Sequence, residues 1–464
     1  MRTIAVSQLV QALPEDELQE FVLGQRWYGS KSEDVAQVRA IEAFPLRDQV
    51  EPLLAVAVVE VRFQSGRHDL YNVPLGLRRG GGDGVASVDG WTAFDALEDR
   101  ELVRELVELI RAQANVELEH GELQFCTVGE LVAGLGAPDA VRPMGSEQSN
   151  TSVVLDERLV LKLYRRLEAG VNPELELLRF LTERGFPAIA SLEGWAAHLG
   201  QPLDATLAIL QDFVPVREDG WTMALADVAV GGDGFLERVR RLGQVTGELH
   251  TVLASEPSDP AFCPEEPSAE ALSLIVARID EEIEQVFSSL PDDPRLAALE
   301  GRGDELRDRL RAIGQSGPLG KLIRHHGDYH LGQVLWTDAD DWVVLDFEGE
   351  PARPLRERRH KRSPLRDVAG MLRSFSYAAS ASSLERGVEP PVGWEGRARS
   401  EFLAGYLDEV DPTIVPTGGA LERRLRLFEL EKALYELHYE LGHRPDWVRV
   451  PVAGILQLLD EEPA

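Results

Sequence analysis

Apolar and polar positions change their period twice along this chain, and those changes divide it. Over roughly the first 90 residues, short apolar runs alternate with polar positions. Leu53 to Val61 reads LLAVAVVEV, and the alternation returns near Asp69 to Leu75. A period of two rich in valine predicts a small sheet. The run Arg78-Arg79-Gly80-Gly81-Gly82-Asp83-Gly84 interrupts it as a loop, because so many glycines lose too much conformational freedom in a regular element. Helical periodicity follows from about Ala93 to Ala114. Strand character returns at Thr151 to Leu155 and Leu159 to Tyr164, around a tight turn at Asp156-Glu157-Arg158. Asn172-Pro173 opens a helix to about Arg184, with Glu174 and Glu176 in the first turn, where the helix dipole favours acids. A strand from Ala205 to Phe213 comes next.

From Gly234 onward the period is mostly helical, with amphipathic stretches at Gly234 to Leu253 and Ala269 to Phe287. Asp292-Asp293-Pro294 reads as a helix start, and Gly314 to Gly320 as a turn. One strand pair, Gln333 to Trp336 and Trp342 to Asp346, interrupts the helices, which resume at Leu365 and run to the end. No internal repeat is present. The pattern predicts an α+β protein of two lobes, hinged near Gln211 to Pro215. The expected division is 1–90, a small N-terminal subdomain; 91–212, a lobe of strands and one helix; and 213–464, a mostly helical lobe. A chain of 464 residues is too long for one ordinary core.

Charge narrows the function. The 48 basic and 80 acidic residues leave a net charge of −32. Such a surface repels nucleic acid and anionic membranes, whose binding needs basic patches. Cys126 and Cys263 are too few for a disulfide framework and lack zinc spacing, so buried thiols in a reducing cytosol are expected. The N-terminus has no signal-peptide pattern and no window reaches a membrane span, so a soluble, cytoplasmic protein is expected.

The candidate chemistry centres on His326-Gly327-Asp328-Tyr329-His330-Leu331-Gly332-Gln333, followed by Asp346 at the end of an apolar strand. One carboxylate, Asp328, is placed to orient an attacking hydroxyl. The amide oxygen of Gln333 and the carboxylate of Asp346 are hard oxygen donors suited to Mg²⁺ beside nucleotide phosphates. Lys162 lies in the apolar strand Val160-Leu161-Lys162-Leu163-Tyr164, where a lysine is costly unless paired or bound to a ligand. Its expected partner is Glu176, chosen over Glu174, and its expected task is to grip phosphates. Gly145 to Ser152, with Ser149 and Thr151, could cover phosphates through hydroxyls and backbone N–H groups. It is no Walker loop, since the chain lacks G-x-x-x-x-G-K-[ST].

With these residues in hand, the chain resembles the aminoglycoside phosphotransferase-like, protein-kinase-like sugar kinases, and within them the bacterial maltokinases and related glucosamine kinases. The resemblance extends over nearly the whole length. It is carried by Gln25-Arg26-Trp27-Tyr28, Glu147 to Ser152, Asn172 to Glu176, the octapeptide at His326, Asp346 to Pro351, Ser363 to Gly370, and Tyr435 to Trp447. It implies a bilobal kinase fold with an N-terminal cap, ATP and Mg²⁺ as cofactors, and Asp328 as catalytic base. It also implies Gln333 and Asp346 as metal ligands and Lys162, Glu176, Ser149, Thr151 and Gln211 around the nucleotide. Gln333 stands where the broader superfamily carries asparagine, as maltokinase-like sequences commonly do.

The implied partner is a small sugar, bound by a monomer or weak homodimer, with no nucleic acid and no membrane. Candidate sugar ligands are His326, Glu348, Arg366, Lys432, Tyr435, Glu436, Arg444 and Trp447. Several of these recur at three-to-four spacing and so share one helix face. By resemblance the expected reaction is maltose and ATP to maltose 1-phosphate. The alternative is glucosamine to glucosamine 6-phosphate, its ammonium held among Glu348, Glu350, Glu436 and Glu440. A non-catalytic sugar-sensing module is a further alternative, against which the retained Lys162, Asp328, Gln333 and Asp346 argue. Lys361-Arg362 and Tyr329 depart from the common maltokinase pattern and leave the sugar, not the phosphoryl transfer, open.

Overall fold

The structure is a computed structural model that describes residues 5–82, 84–129, 140–145, 149–230, 234–314 and 317–460, with the side chain of residue 386 excluded. It divides into two compact units: Met1–Glu183 with Ala190–Val214, and Arg184–Ile189 with Pro215–Ala464. Among the described residues no helix is long and apolar enough to cross a membrane.

The first unit holds two antiparallel sheets. One is ordered Val35–Arg47, Leu53–Phe63, His68–Arg79, Trp91–Asp95, Ala86–Val88, with Arg166–Leu167 added beside His68–Arg79. The strand Leu53–Phe63 is buried on both faces, which explains a run with so few polar positions. Leu54, Val56 and Val58 join a core with Leu102, Leu106 and Ile110. The opposite face, Ala55, Ala57, Val59 and Val61, packs with Val6, Leu9, Trp27 and Tyr28. The helix expected from Ala93 begins later, at Arg100–Arg111. Trp91–Asp95 pairs with His68–Arg79 instead, and Asp99 caps the helix by accepting from the N–H groups of Glu101 and Leu102 at 2.9 and 3.2 Å. The first sheet therefore continues past residue 90.

The second sheet is ordered Asn115–Leu118, Gly121–Thr127, Leu192–Gly200, Ala205–Asp212, Leu159–Tyr164, Asn150–Leu155, Val141–Pro143. The expected hairpin is present: Asp156 and Glu157 have φ of 56° and 50°, and Arg158 N–H donates to Leu155 O at 3.0 Å. Left-handed backbone at both central residues matches the twist of the flanking strands. Helix Pro173–Glu183 starts where Asn172 Oδ1 accepts from Glu174 N–H at 2.8 Å.

The second unit is mostly helical around a three-stranded sheet of Val216–Asp219, Val334–Thr337 and Trp342–Val344. Asp292-Asp293-Pro294 does not open a long helix. Asp293 instead accepts from the backbone N–H and guanidinium of Arg295, and the next α-helix begins at Gly303–Gly314. Helix Ala271–Ser288 packs Ile279 and Ile283 with Leu306, Leu310, Leu430 and Leu434. Helices Gly234–Leu253 and Trp394–Glu409 cross at Gly243, Gly247 and Gly405. A Cβ on Gly247 would sit 2.7 Å from Tyr406 O, so the crossing needs glycine.

Candidate active site

The octapeptide at His326 is a loop whose backbone is held from below by one buried carboxylate. Asp367 is in the first turn of helix Leu365–Arg386. It accepts from His326 N–H at 2.7 Å and Gly327 N–H at 2.9 Å, and it meets His250 Nε2 at 3.2 Å. His250 Nδ1 lies 3.0 Å from Tyr406 Oη. Burial alone would raise the Asp367 pKa, but His325, His250 and His326 hold it well below the usual carboxylate range. Burial pushes His325 down to about 3. Gly327 has φ of +90°, a conformation glycine adopts without strain.

The other residues of the loop are tied down as well. His326 Nε2 lies 2.8 Å from Leu345 O, and Asp328 N–H donates to His326 Nδ1 at 3.3 Å. These contacts set the proton of His326 on Nε2. Tyr329 Oη meets Thr246 Oγ1 at 2.9 Å, and Gly332 N–H donates to His330 Nδ1 at 3.0 Å. Helix Leu365–Arg386 comes close enough that a Cβ on Gly370 would lie 2.6 Å from Tyr329 O. Asp328 is thus a partly exposed carboxylate on a rigid loop. Lys432 Nζ lies 3.3 Å from its Oδ1. Burial alone would lower the Lys432 ammonium, but Asp328, then Glu436 and Glu350, hold it above its ordinary value.

Gln333 and Asp346 come together. Gln333 Nε2 donates to Asp346 Oδ2 at 3.0 Å, and Leu345 N–H donates to Gln333 O at 2.9 Å. Asp346 has φ of 61°, a left-handed backbone that redirects its side chain at the end of the strand. With its NH₂ group turned to Asp346, the amide of Gln333 keeps its oxygen for a hard cation, so the pair fits Mg²⁺.

In the first unit, Lys162 is buried in the strand Leu159–Tyr164, and its Nζ lies 2.8 Å from Glu174 Oε2. Tyr164 Oη donates to the same oxygen at 2.7 Å. Glu174 is the second residue of helix Pro173–Glu183, fixed by the Asn172 cap, and the expected partner, Glu176, is buried in the same first turn. Thr151 Oγ1 accepts from Arg165 Nε at 2.8 Å. Gln211 is half-buried in the strand Ala205–Asp212, in register with Val160. Ser149 is exposed, and residues 146–148 of the expected phosphate loop lie outside the described residues.

Asp328 opens on a pocket within the second unit, and three expected sugar ligands line it: Arg366, Lys432 and Tyr435. Its wall also carries Glu282, Glu350, Arg353, Glu357, Arg358, Arg362 and Glu431. Most of these charges are paired. Arg366 meets Glu431 at 2.5 Å, Arg353 bonds Glu350, and Arg278 contacts Glu431. Burial and the neighbouring Arg353 and Arg278 push Arg362 down to about 10. The arginine run after Glu350 was visible in the sequence. Glu282 and Glu431 were not, because each sits on an amphipathic helix among many other acids.

The remaining expected sugar ligands do not line this pocket. Glu436 accepts from Arg373 at 2.6 and 3.0 Å. Arg444 is bound by Glu440 at 2.6 and 2.9 Å and covers Trp447, which stacks on Tyr377. A shared helix face brought these side chains together, but against helix Leu365–Arg386 and each other rather than around the pocket. Both ring nitrogens of His326 are taken by the backbone, so it positions the loop. Glu348 is half-buried, outside the pocket wall, and its carbonyl accepts from Arg358 at 3.3 Å.

Residues 140–397 match the phosphotransferase enzyme family, and residues 21–101 match the maltokinase N-terminal cap domain. The chain is 27% identical over 329 residues to a glucosamine kinase of Mycolicibacterium smegmatis, covering 69% of this chain and 80% of that one. It is 28% identical over 332 residues to a glucosamine kinase of Streptacidiphilus jiangxiensis, covering 68% and 72%. In three dimensions it resembles a glucosamine kinase solved with glucosamine, ADP and inorganic phosphate, at a TM-score of 0.71 and 24% identity over 98% of this chain and 100% of the other. The α+β, protein-kinase-like fold expected from the sequence is therefore present. With that fold, a match over more than half its length and a maltokinase-type cap ahead of it, the chain belongs to the phosphotransferase enzyme family and transfers phosphate to an alcohol acceptor.

Proposed function

We propose that this protein is an ATP-dependent sugar kinase whose acceptor is glucosamine, converted to glucosamine 6-phosphate. The observation that carries the reading is the pocket in which Asp328 stands among carboxylates and arginines, a lining suited to a sugar bearing both hydroxyls and an ammonium. Maltose, the acceptor expected from the sequence, is the second reading, and the match of residues 21–101 to the maltokinase cap favours it. The two relatives named above are both glucosamine kinases, which tips the choice.

In this reading Asp328 accepts the hydrogen bond of the attacking hydroxyl and takes its proton as the oxygen bonds to the γ-phosphorus and ADP leaves. Lys432 holds the Asp328 carboxylate in place and keeps it from turning away. Lys162, fixed by Glu174 and Tyr164, grips the nucleotide phosphates. Mg²⁺ on Gln333 and Asp346 would neutralise phosphate charge when bound. Positioning and electrostatics account for the rate, since phosphoryl transfer asks little covalent chemistry of the protein. A cytoplasmic location suits an enzyme that consumes ATP.

The test is turnover of ATP with maltose, glucose, glucosamine and an aminoglycoside in parallel, with Asp328→Asn as the companion variant. Glucosamine is expected to turn over best, and the variant to lose roughly 10²- to 10⁴-fold in kcat while still binding ADP. Turnover of maltose without glucosamine would replace the acceptor. An undiminished kcat in the variant would remove Asp328 from the chemistry.

A further inference from the structure

The geometry points to Glu282 as the residue that selects an amino sugar over the neutral sugar of the same shape. The inference rests on reading the Asp328 pocket as the acceptor site. Glu282 is on helix Ala271–Ser288, far in sequence from every motif that marks the chemistry, yet it lines the same cavity as Asp328.

What separates it from Asp328, Glu350 and Glu431 is its pairing. Glu431 is ion-paired with Arg366 at 2.5 Å, and Glu350 is bonded by Arg353 and Asp328 by Lys432. Glu357 likewise has its cations beyond hydrogen-bond reach, Arg353 at 3.7 Å and Arg362 at 4.0 Å, but its side chain is 47% exposed against 34% for Glu282 and keeps more of its hydration. Glu282 makes no hydrogen bond among the described residues. Its nearest cation is Arg278 Nε at 3.9 Å, an ion pair through space that is beyond hydrogen-bond reach, and the same guanidinium also contacts Glu431.

A half-buried carboxylate without a donor is unfavourable, because its lost hydration is not replaced. Burial accordingly raises the Glu282 pKa, with Arg278 and Arg353 only partly opposing. A ligand ammonium would supply up to three N–H donors and a full opposite charge to that carboxylate. A hydroxyl at the same carbon would supply one neutral donor. The difference between those two is the selectivity. The arginines of the same wall act in the opposite sense, since a guanidinium repels an ammonium but donates to a hydroxyl oxygen.

The experiment compares kcat/KM for glucosamine and for glucose in the unaltered protein, Glu282→Gln and Glu282→Asp. The Gln variant keeps shape and hydrogen-bond capacity but removes the charge. Its glucosamine-to-glucose ratio should fall roughly 10- to 100-fold, mostly through the KM for glucosamine, as expected for loss of a charge-assisted bond. The Asp variant, which keeps the charge, should retain more of the preference. An unchanged ratio, or equal losses on both sugars, would overturn the role of Glu282 while leaving the kinase reading intact. If either variant melts early, calorimetric binding of glucosamine and glucose below its melting temperature provides the same ratio. Failure of the unaltered protein to turn over glucosamine would overturn both the acceptor and the selectivity.

Discussion

Glu174 and Glu176 are two residues apart on one helix, which puts their side chains about 200° apart around its axis. The sequence showed that Lys162 needed a carboxylate, because a lysine inside an apolar strand is otherwise costly. It did not show which one. In the structure Glu174, fixed by the Asn172 cap, meets Lys162 and also takes the hydroxyl of Tyr164. Glu174→Gln should therefore raise the nucleotide dissociation constant by roughly tenfold or more, since a buried charge-assisted pair is weakened to a neutral bond. Glu176→Gln should do less. Titration with ADP decides, and a larger effect at Glu176 would return the pairing to the original expectation. Asp328, Gln333 and Asp346 could be proposed from the sequence for a related reason. Their chemistry depends on local spacing within one loop and the strand pair after it, which a linear text records. Glu282 was not legible, because its significance lies in which neighbours fail to reach it.

Helices Gly234–Leu253 and Trp394–Glu409 illustrate the same division among elements. The apolar period of the first was plain from the sequence, and so was its helical state. The role of its two contact glycines, and of Gly405 on the second helix, was not, since glycine within a helical pattern ordinarily weakens the assignment. In the structure the backbones meet there: a Cβ on Gly405 would collide with Arg240 O and stand 3.1 Å from Gln244 N. Gly405→Ala should lower stability by about 1–3 kcal/mol through overpacking, read as a fall in melting temperature. The KM for ATP in the folded variant should stay close to that of the unaltered protein, because Gly405 touches no proposed ligand. A variant that melts normally would mean that the helices can separate without cost. Element ends followed local chemistry where a cap or turn was strong, as at Asn172-Pro173 and Asp156-Glu157. They departed from it where strand pairing competed, as at Trp91–Asp95.

The whole molecule carries −32, and this bears on stability more than on fold. Like charges spread over one surface repel, and that repulsion is screened as the Debye length drops from about 30 Å at 0.01 M salt to below 10 Å at 0.2 M. The melting temperature is therefore expected to rise over that range. A flat or falling curve would mean that local pairing, such as the arginine–glutamate web around the Asp328 pocket, already compensates the excess. The sequence alone determined the class of element in most segments, the phosphotransfer loop and the kinase-like family, because each is written in short-range pattern and spacing. Only the tertiary structure decided that Glu174 meets Lys162, which C-terminal side chains face the pocket and which bind each other, and that Glu282 lines the Asp328 pocket without a hydrogen-bond donor. Those facts depend on how helices distant in sequence rotate and pack, and no local pattern along the chain records that rotation.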